Sequence, residues 1–309
     1  MRILLIGPTA VGKTALSVNL ANRLNAEIIS VDSRQCYKYL NIGTATPTKE
    51  ERADIPHYNL FIIDPATKDS VAKYEERAKQ WRQQIEARGK NVLFVGGSTL
   101  HVQCTIQPLD DVPKANEKNI ANLEAQIEDQ GIEPLFRRLQ KVDPEYAQKM
   151  DGMNTQRIIR ALDVWMQTDR PFSSFHSDNN TISVPDDMLV FGLHRDRQTL
   201  YDRINQRVDS MFEQGFLEEV KSILERGYSL QDPGINTVGY KQAIRHIQGN
   251  ISREKMVKDM KTKTRRYAKR QLSWFRRWDF IHWINLENTS SKAAQNFIAE
   301  RVAAKLNKD

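Results

Sequence analysis

The stretch ILLIGPTAVGKTAL, residues 3–16, constrains the fold more than any other part of the chain. Its centre, Gly7-Pro8-Thr9-Ala10-Val11-Gly12-Lys13-Thr14, fits G-x-x-x-x-G-K-[ST], a pattern whose backbone amides cradle phosphate. Residues 2–6 before it read as a short, fully apolar strand, and a helix is expected from about Lys13 to Leu24. The glycines let the backbone curl so that several N–H groups face one anion. The helix adds the positive end of its dipole. Lys13 would reach the outer phosphate, and the Thr14 hydroxyl suits a Mg²⁺ ion. The pattern does not say what the phosphate is for. It could be a group to hand on, a fuel to hydrolyse, or a leaving group to pull away.

The same alternation continues downstream. Glu27–Val31 reads as a strand ending at Asp32-Ser33, and the apolar run Leu60–Ile63 ends at Asp64-Pro65. An amphipathic helix over 71–88 is stopped by Gly89, and Val92–Val95 runs into Gly96-Gly97. Strands alternating with helices imply right-handed crossovers and a parallel sheet. The texture changes near Pro108–Pro113. From about 115 to 168 the pattern is helical throughout, with breaks at Glu133-Pro134 and Asp143-Pro144. A polar loop then leads to a strand at Met188–Leu193, long helices over 197–227 and 252–277, a strand near 280–284 and a last helix. The expected fold class is α/β: a core over 1–112 and 188–309, interrupted by an all-helical insertion over 113–187.

Composition bounds the partners. The chain has 309 residues, room for about two domains, and 46 Lys+Arg against 39 Asp+Glu, a net charge of +7. That excess favours a polyanionic partner. Two cysteines, Cys36 and Cys104, are too few for a disulfide framework or a four-ligand zinc site. Ile3–Ile6 is too short for a signal-peptide core, and no run approaches the roughly 18 apolar residues of a membrane span. A soluble, cytoplasmic protein with no membrane partner is expected, with a monomer as the default.

Two aspartates compete for a role beside the phosphate loop. Asp64 precedes Pro65 and reads as a turn former. Asp32 ends a strand in SVDSRQCYKYLNIGTATP, at the carboxyl edge where such sheets bind ligands. It could hold metal, accept a proton, or cap a turn. Lys261–Trp278 is the most basic run. Wound as a helix, it puts Tyr267, Trp274, Phe275 and Trp278 on one side and Arg266, Lys269, Arg270, Arg276 and Arg277 on the other. The aromatics read as core packing, and the basic face as a contact with an RNA backbone. A helix over 154–168 carries Gln156, Arg157 and Arg160 beside an Ile158/Ile159/Leu162 stripe.

GPTAVGKT, ISVDSRQCYKYLNIGTATP, VGGSTLH, NTQRIIRALDVW, GYKQA and KRQLSWFRRW occur in that order. With these motifs the chain resembles the bacterial tRNA dimethylallyltransferases, or isopentenyltransferases, over nearly its full length. The resemblance implies a P-loop NTPase-like core that needs no ATP. It also implies transfer of a dimethylallyl group from dimethylallyl diphosphate to N6 of the adenosine 3′ of the anticodon, position 37. By this resemblance the loop from Gly7 to Thr14 holds the diphosphate with Mg²⁺ at Thr14, Asp32 is the base, and Thr9, Lys13 and Arg207 act on the leaving group. Without it, Arg207 and Arg203 would read as solvated helix arginines. The tRNA anticodon stem-loop would be met by Asp32, Ser33, Arg34, Gln35 and Ser98. It would also be met by Gln156, Arg157, Ile158, Ile159 and Arg160 of the insertion, and by Arg266, Lys269 and Arg270. Ser98 stands where the family usually has threonine. Thr99 and His101 stand where it commonly has glycine and tyrosine, and His101 reads as a packing or RNA-edge residue. Two rivals remain: a small-molecule or nucleoside kinase using the same loop on ATP, and an RNA-binding protein without catalysis.

Overall fold

The computed structural model describes residues 1–176 and 182–307. The chain forms two compact units, Met1–Gln107 with Ser183–Asp309, and Pro108–Ile182.

The first unit is built on six strands: β1 (Arg2–Ile6), β2 (Ala26–Val31), β3 (His57–Tyr58), β4 (Asn91–Gly96), β5 (Met188–His194) and β6 (His282–Asn285). Their order is β3-β2-β4-β1-β5-β6, and every neighbouring pair is parallel. A parallel sheet is covered on both faces, so its strands are apolar runs rather than alternating ones. Ile3, Leu4, Leu5 and Ile6 are accordingly all fully buried. Ile6 pairs with Gly96 and with Gly192, and Gly96 pairs with Val31. The carboxyl ends of β2, β4, β1 and β5 are therefore level. β2 lies beyond β4 on one side of β1 while β5 lies on the other, which opens the ligand crevice typical of a topological switch point. Gly96 is needed for the strands to meet there, because a Cβ on it would fall 2.0 Å from Val31 O.

Three expectations about this unit are corrected. Leu60–Ile63 is not a strand. Asn59 and Phe61 take positive φ (63° and 55°), which breaks an extended run, and Ile63 makes only an isolated bridge with Tyr37. The helix expected over 197–227 is two, Arg197–Glu213 and Phe216–Glu225, separated at Gly215 with φ 91°. The basic helix spans Arg253–Phe275 and ends before Trp278, which packs inward from the turn that follows. These helices and Tyr240–Ile247 enclose a second core of Val208, Phe216, Tyr240, Met256 and Met260, joined by Tyr37 and Leu40.

The second unit contains helices Glu117–Gln130, Glu133–Val142, Pro144–Gln148 and Thr155–Thr168. Pro134 and Pro144 fall in first turns, where a missing N–H costs nothing, so the two breaks are helix starts. Leu123, Leu135, Leu139, Ile158, Leu162 and Val164 form the core. The unit begins at Pro108, ahead of the expected residue 113, because Val112 packs on that core. Ile158 (0% exposed) and Ile159 (7%) belong to this core, so packing inside the unit, rather than the expected tRNA contact, accounts for both side chains. Arg160 is also partly committed, to Asp163 at 2.9 Å and to Pro113 O. Of the polar loop expected before β5, residues 177–181 lie outside the described residues.

Candidate active site

The phosphate loop joins β1 to helix Lys13–Arg23. Gly12 is its N-cap at φ 117°, a conformation that suits glycine, and no side chain caps the helix. Among the described residues the first-turn N–H groups, which have no intrahelical partner, therefore meet no side-chain acceptor at that cap. Four loop carbonyls are turned to cationic donors. Lys13 Nζ donates to Gly7 O (2.8 Å) and Pro8 O (2.9 Å), Arg203 Nε to Ala10 O (2.9 Å), and Arg195 Nε to Val11 O (3.0 Å). Holding carbonyls this way leaves the loop's positive ends for an anion.

Thr9, Lys13, Thr14, Asp32, Arg34, Gln35, Arg203 and Arg207 line one cavity of about 690 Å³. Its charged lining is Lys13, Arg34, Arg203 and Arg207 against Asp32 and Glu51, an excess of cations suited to an anionic ligand. Withdrawal from water, with Arg207 adding to it and Asp32 opposing it, lowers the Lys13 ammonium to about 7. Burial likewise pushes the Arg207 guanidinium down from its ordinary value, opposed by Asp32. Arg207 Nη1 donates to Thr9 Oγ1 and Nη2 to Ala45 O, both at 3.4 Å.

Asp32 leaves the end of β2 and turns the chain. Its Oδ1 accepts from Arg34 N (2.8 Å) and Gln35 N (3.3 Å), so it is a turn cap. Its Oδ2 has no hydrogen-bond partner among the described residues and remains an open acceptor. Asp64 is a turn former with no place in the cavity lining: it accepts from Ala66 N (3.0 Å) and from Tyr228 OH (2.8 Å).

Other expected residues serve differently from their sequence reading. Ser98 is buried and is not among the residues that line the cavity. Its Oγ accepts from Ser33 N (3.1 Å), which ties the Asp32 turn to β4. The Gln35 amide is used internally, accepting from Ser30 Oγ (2.8 Å) and donating to Ala45 O (3.3 Å). Arg34 donates to Pro233 O (2.9 Å). His101 is buried against Tyr74, ring centroids 4.8 Å apart, and burial lowers its pKa; it is a packing residue. Tyr267 lines the cavity instead of the core, and burial pushes its phenol up to about 12.

Several residues that support the site escaped the sequence reading. Arg195, Arg203 and Gln271 grip the loop from distant points in the chain. Glu219 accepts from Asn41 N (3.0 Å), Ile42 N (2.7 Å), Gly43 N (3.2 Å) and Tyr240 OH (2.6 Å). It thereby holds the loop whose Ala45 carbonyl steers Arg207 and Gln35, which gives the GYKQA tyrosine its purpose. Gln271 carried one legible signal: it sits four residues from both Tyr267 and Phe275, on the apolar side of a basic helix.

On that helix Arg266, Lys269 and Arg270 are exposed, with Phe275 buried opposite. In the helical unit Gln156 and Arg157 are exposed on helix Thr155–Thr168.

A family described as IPP transferase matches residues 35–278, most of the chain. The chain belongs to the IPP transferase family. The match begins after the phosphate loop, so that loop is identified by its own pattern and geometry. A tRNA dimethylallyltransferase of Salinibacter ruber is 43% identical over 280 residues, covering 90% of this chain and 85% of its own. The full-length tRNA isopentenylpyrophosphate transferase of Bacillus halodurans superposes with a TM-score of 0.72 at 35% identity, over 99% of this chain and 98% of its own. A eukaryotic dimethylallyltransferase acting on tRNA gives 0.82 at 26% identity, over 97% of this chain and 80% of its own. The six-stranded parallel sheet flanked by helices is the P-loop NTPase-like core of an IPP transferase.

Proposed function

We infer that this protein is a tRNA dimethylallyltransferase. It transfers the dimethylallyl group of dimethylallyl diphosphate to N6 of the adenosine 3′-adjacent to the anticodon, position 37, and releases diphosphate. The observation that carries this reading is one cationic cavity, in an IPP transferase, that joins a phosphate loop to an open carboxylate oxygen and a half-buried arginine. The phosphate is then a leaving group.

The N6 lone pair is delocalised into the purine and attacks weakly. The allylic carbon compensates, since positive charge on it spreads over the double bond. The barrier lies chiefly in parting that carbon from its diphosphate oxygen. As the C–O bond breaks, negative charge grows on the diphosphate. The loop amides, Lys13 and Arg207 meet it with dipoles and charges already oriented. The new C–N bond forms from the opposite side, and the N6 proton passes to Asp32 Oδ2, the acceptor that the turn leaves free. Thr9 Oγ1, held by Arg207, lies beside the departing group.

Among the described residues no group of three or more His, Cys, Asp or Glu could cage a metal. The loop instead fits the habit of Mg²⁺, which takes few protein ligands and fills its shell with phosphate oxygens and water. Thr14 would hold the ion, and the ion would supply charge neutralisation for the diphosphate when bound.

The adenine must leave its stack to reach Asp32, so the substrate nucleotide is flipped out. Gln156 and Arg157 meet the anticodon stem-loop, and Arg266, Lys269 and Arg270 meet its phosphates. The protein acts in the cytoplasm as a monomer. Among the described residues no helix is long and apolar enough to cross a membrane. The test is incubation with Mg²⁺, dimethylallyl diphosphate and unmodified tRNA, followed by nucleoside mass spectrometry. One C5H8 unit on adenosine is expected. ATP-dependent phosphorylation of an acceptor with no prenyl adduct would overturn the reading in favour of a kinase.

A further inference from the structure

Gln271 is buried at 3% exposure on the inner face of helix Arg253–Phe275. Its Oε1 accepts from Thr9 N at 3.0 Å, and its Nε2 donates to Gly97 O at 2.8 Å. Both ends of the amide are thus spent, one on the phosphate loop and one on the tip of β4. The fit is close: a Cβ on Gly97 would fall 2.5 Å from Gln271 Nε2 and 2.7 Å from Gly7 O. A buried amide is costly unless paired, and both partners here lie far away in sequence. Taking the Thr9 N–H has a directional consequence. That N–H points at Gln271, the Thr9 peptide plane is fixed, and the side chain it carries meets Arg207 Nη1 at 3.4 Å.

We propose that Gln271 is a positioning residue for prenyl transfer: it sets the Thr9 peptide so that the Thr9 hydroxyl and the Arg207 guanidinium meet the departing diphosphate in one fixed geometry. The proposal deepens the dimethylallyltransferase reading and rests on it.

Two substitutions test it. Gln271→Leu keeps the volume and removes both bonds. It should lower single-turnover transfer about tenfold or more, with tRNA affinity unchanged. It should also weaken binding of inorganic diphosphate several-fold, which calorimetry reads without catalysis. In Gln271→Glu the introduced carboxyl reproduces both bonds when protonated and repels Gly97 O when ionised. Its rate relative to wild type should therefore rise as pH falls from 8 to 6, and by proton linkage its melting temperature should approach that of wild type over the same range. A ratio flat in pH would overturn the proposal. So would a Gln271→Leu protein with wild-type transfer and diphosphate affinity, or one whose losses appear only at temperatures where that protein is already unfolding. Failure of the functional reading is seen separately, as absence of prenyl product from the wild type.

Discussion

The phosphate loop and helix Thr155–Thr168 are both rich in polar groups, and they are built on opposite plans. In the loop the carbonyls of Gly7, Pro8, Ala10 and Val11 are tied to Lys13, Arg203 and Arg195, and the Thr9 amide is tied to Gln271. On the helix, the side chains of Gln156 and Arg157 are exposed and make no hydrogen bond or ion pair among the described residues. Rigid dipoles suit a ligand whose charge develops at one place, because nothing need reorganise as the bond breaks. Loose side chains suit a large, wet nucleic-acid surface; they lose rotamer entropy on binding but adapt to it. On the proposed reading the loop's groups are fixed for chemistry and the exposed ones of helix Thr155–Thr168 are free for recognition, so substitutions in the two should separate the two effects.

The largest effect is expected at Asp32. Asp32→Asn keeps the oxygen that caps Arg34 N and Gln35 N, so the turn survives while the base is lost. Transfer should fall by about 10²–10⁴ with tRNA affinity unchanged, read by single-turnover assay beside filter binding. Near-normal turnover would remove Asp32 as the base and leave it a turn cap. Next comes Lys13→Ala, which should weaken inorganic diphosphate by about 10–100-fold, the worth of a charge-assisted hydrogen bond. tRNA affinity should not move; a parallel loss in both would erase the contrast between the two regions.

Lys13 also predicts a pH dependence. Its ammonium is lowered to about 7, so the free protein holds the charge below that pH and loses it as pH rises through it. Diphosphate affinity should fall from pH 6 to pH 8, and binding near pH 8 should take up a proton. Calorimetry in buffers of different ionisation heat reads this directly. Smaller still is the effect of Arg266→Gln, Lys269→Gln and Arg270→Gln together. The slope of log affinity for tRNA against log salt should shrink by about 0.7–0.9 for each phosphate no longer neutralised; an unaltered slope would return that face to solvent. The smallest is Gln156→Ala with Arg157→Ala, which should weaken tRNA a few-fold while leaving diphosphate affinity alone.

Legibility in the sequence follows the same division. The loop, Asp32 and the strand pattern were readable because each is a local arrangement whose chemistry depends on near neighbours. Leu60–Ile63 misled because apolar content cannot reveal that Asn59 and Phe61 take positive φ. Ile158 and Ile159 were drawn to the RNA by the company of Gln156 and Arg157, although their spacing already marked a buried stripe. Arg195, Arg203, Glu219 and Gln271 were not readable as site residues. Each acts on backbone atoms brought near only by folding, up to 262 positions away for Gln271 and Thr9. Nothing in a side chain's identity announces which distant carbonyl or amide it will meet.

The central claim is that the glycine loop grips a diphosphate that departs as an adenosine is alkylated. It is tested most directly by single turnover with dimethylallyl diphosphate and tRNA in the absence of any nucleoside triphosphate, with released diphosphate and prenylated adenosine counted together. The account predicts one diphosphate for each adduct, at full rate without ATP. Adduct formation that required ATP, or diphosphate release without alkylated adenosine, would contradict it.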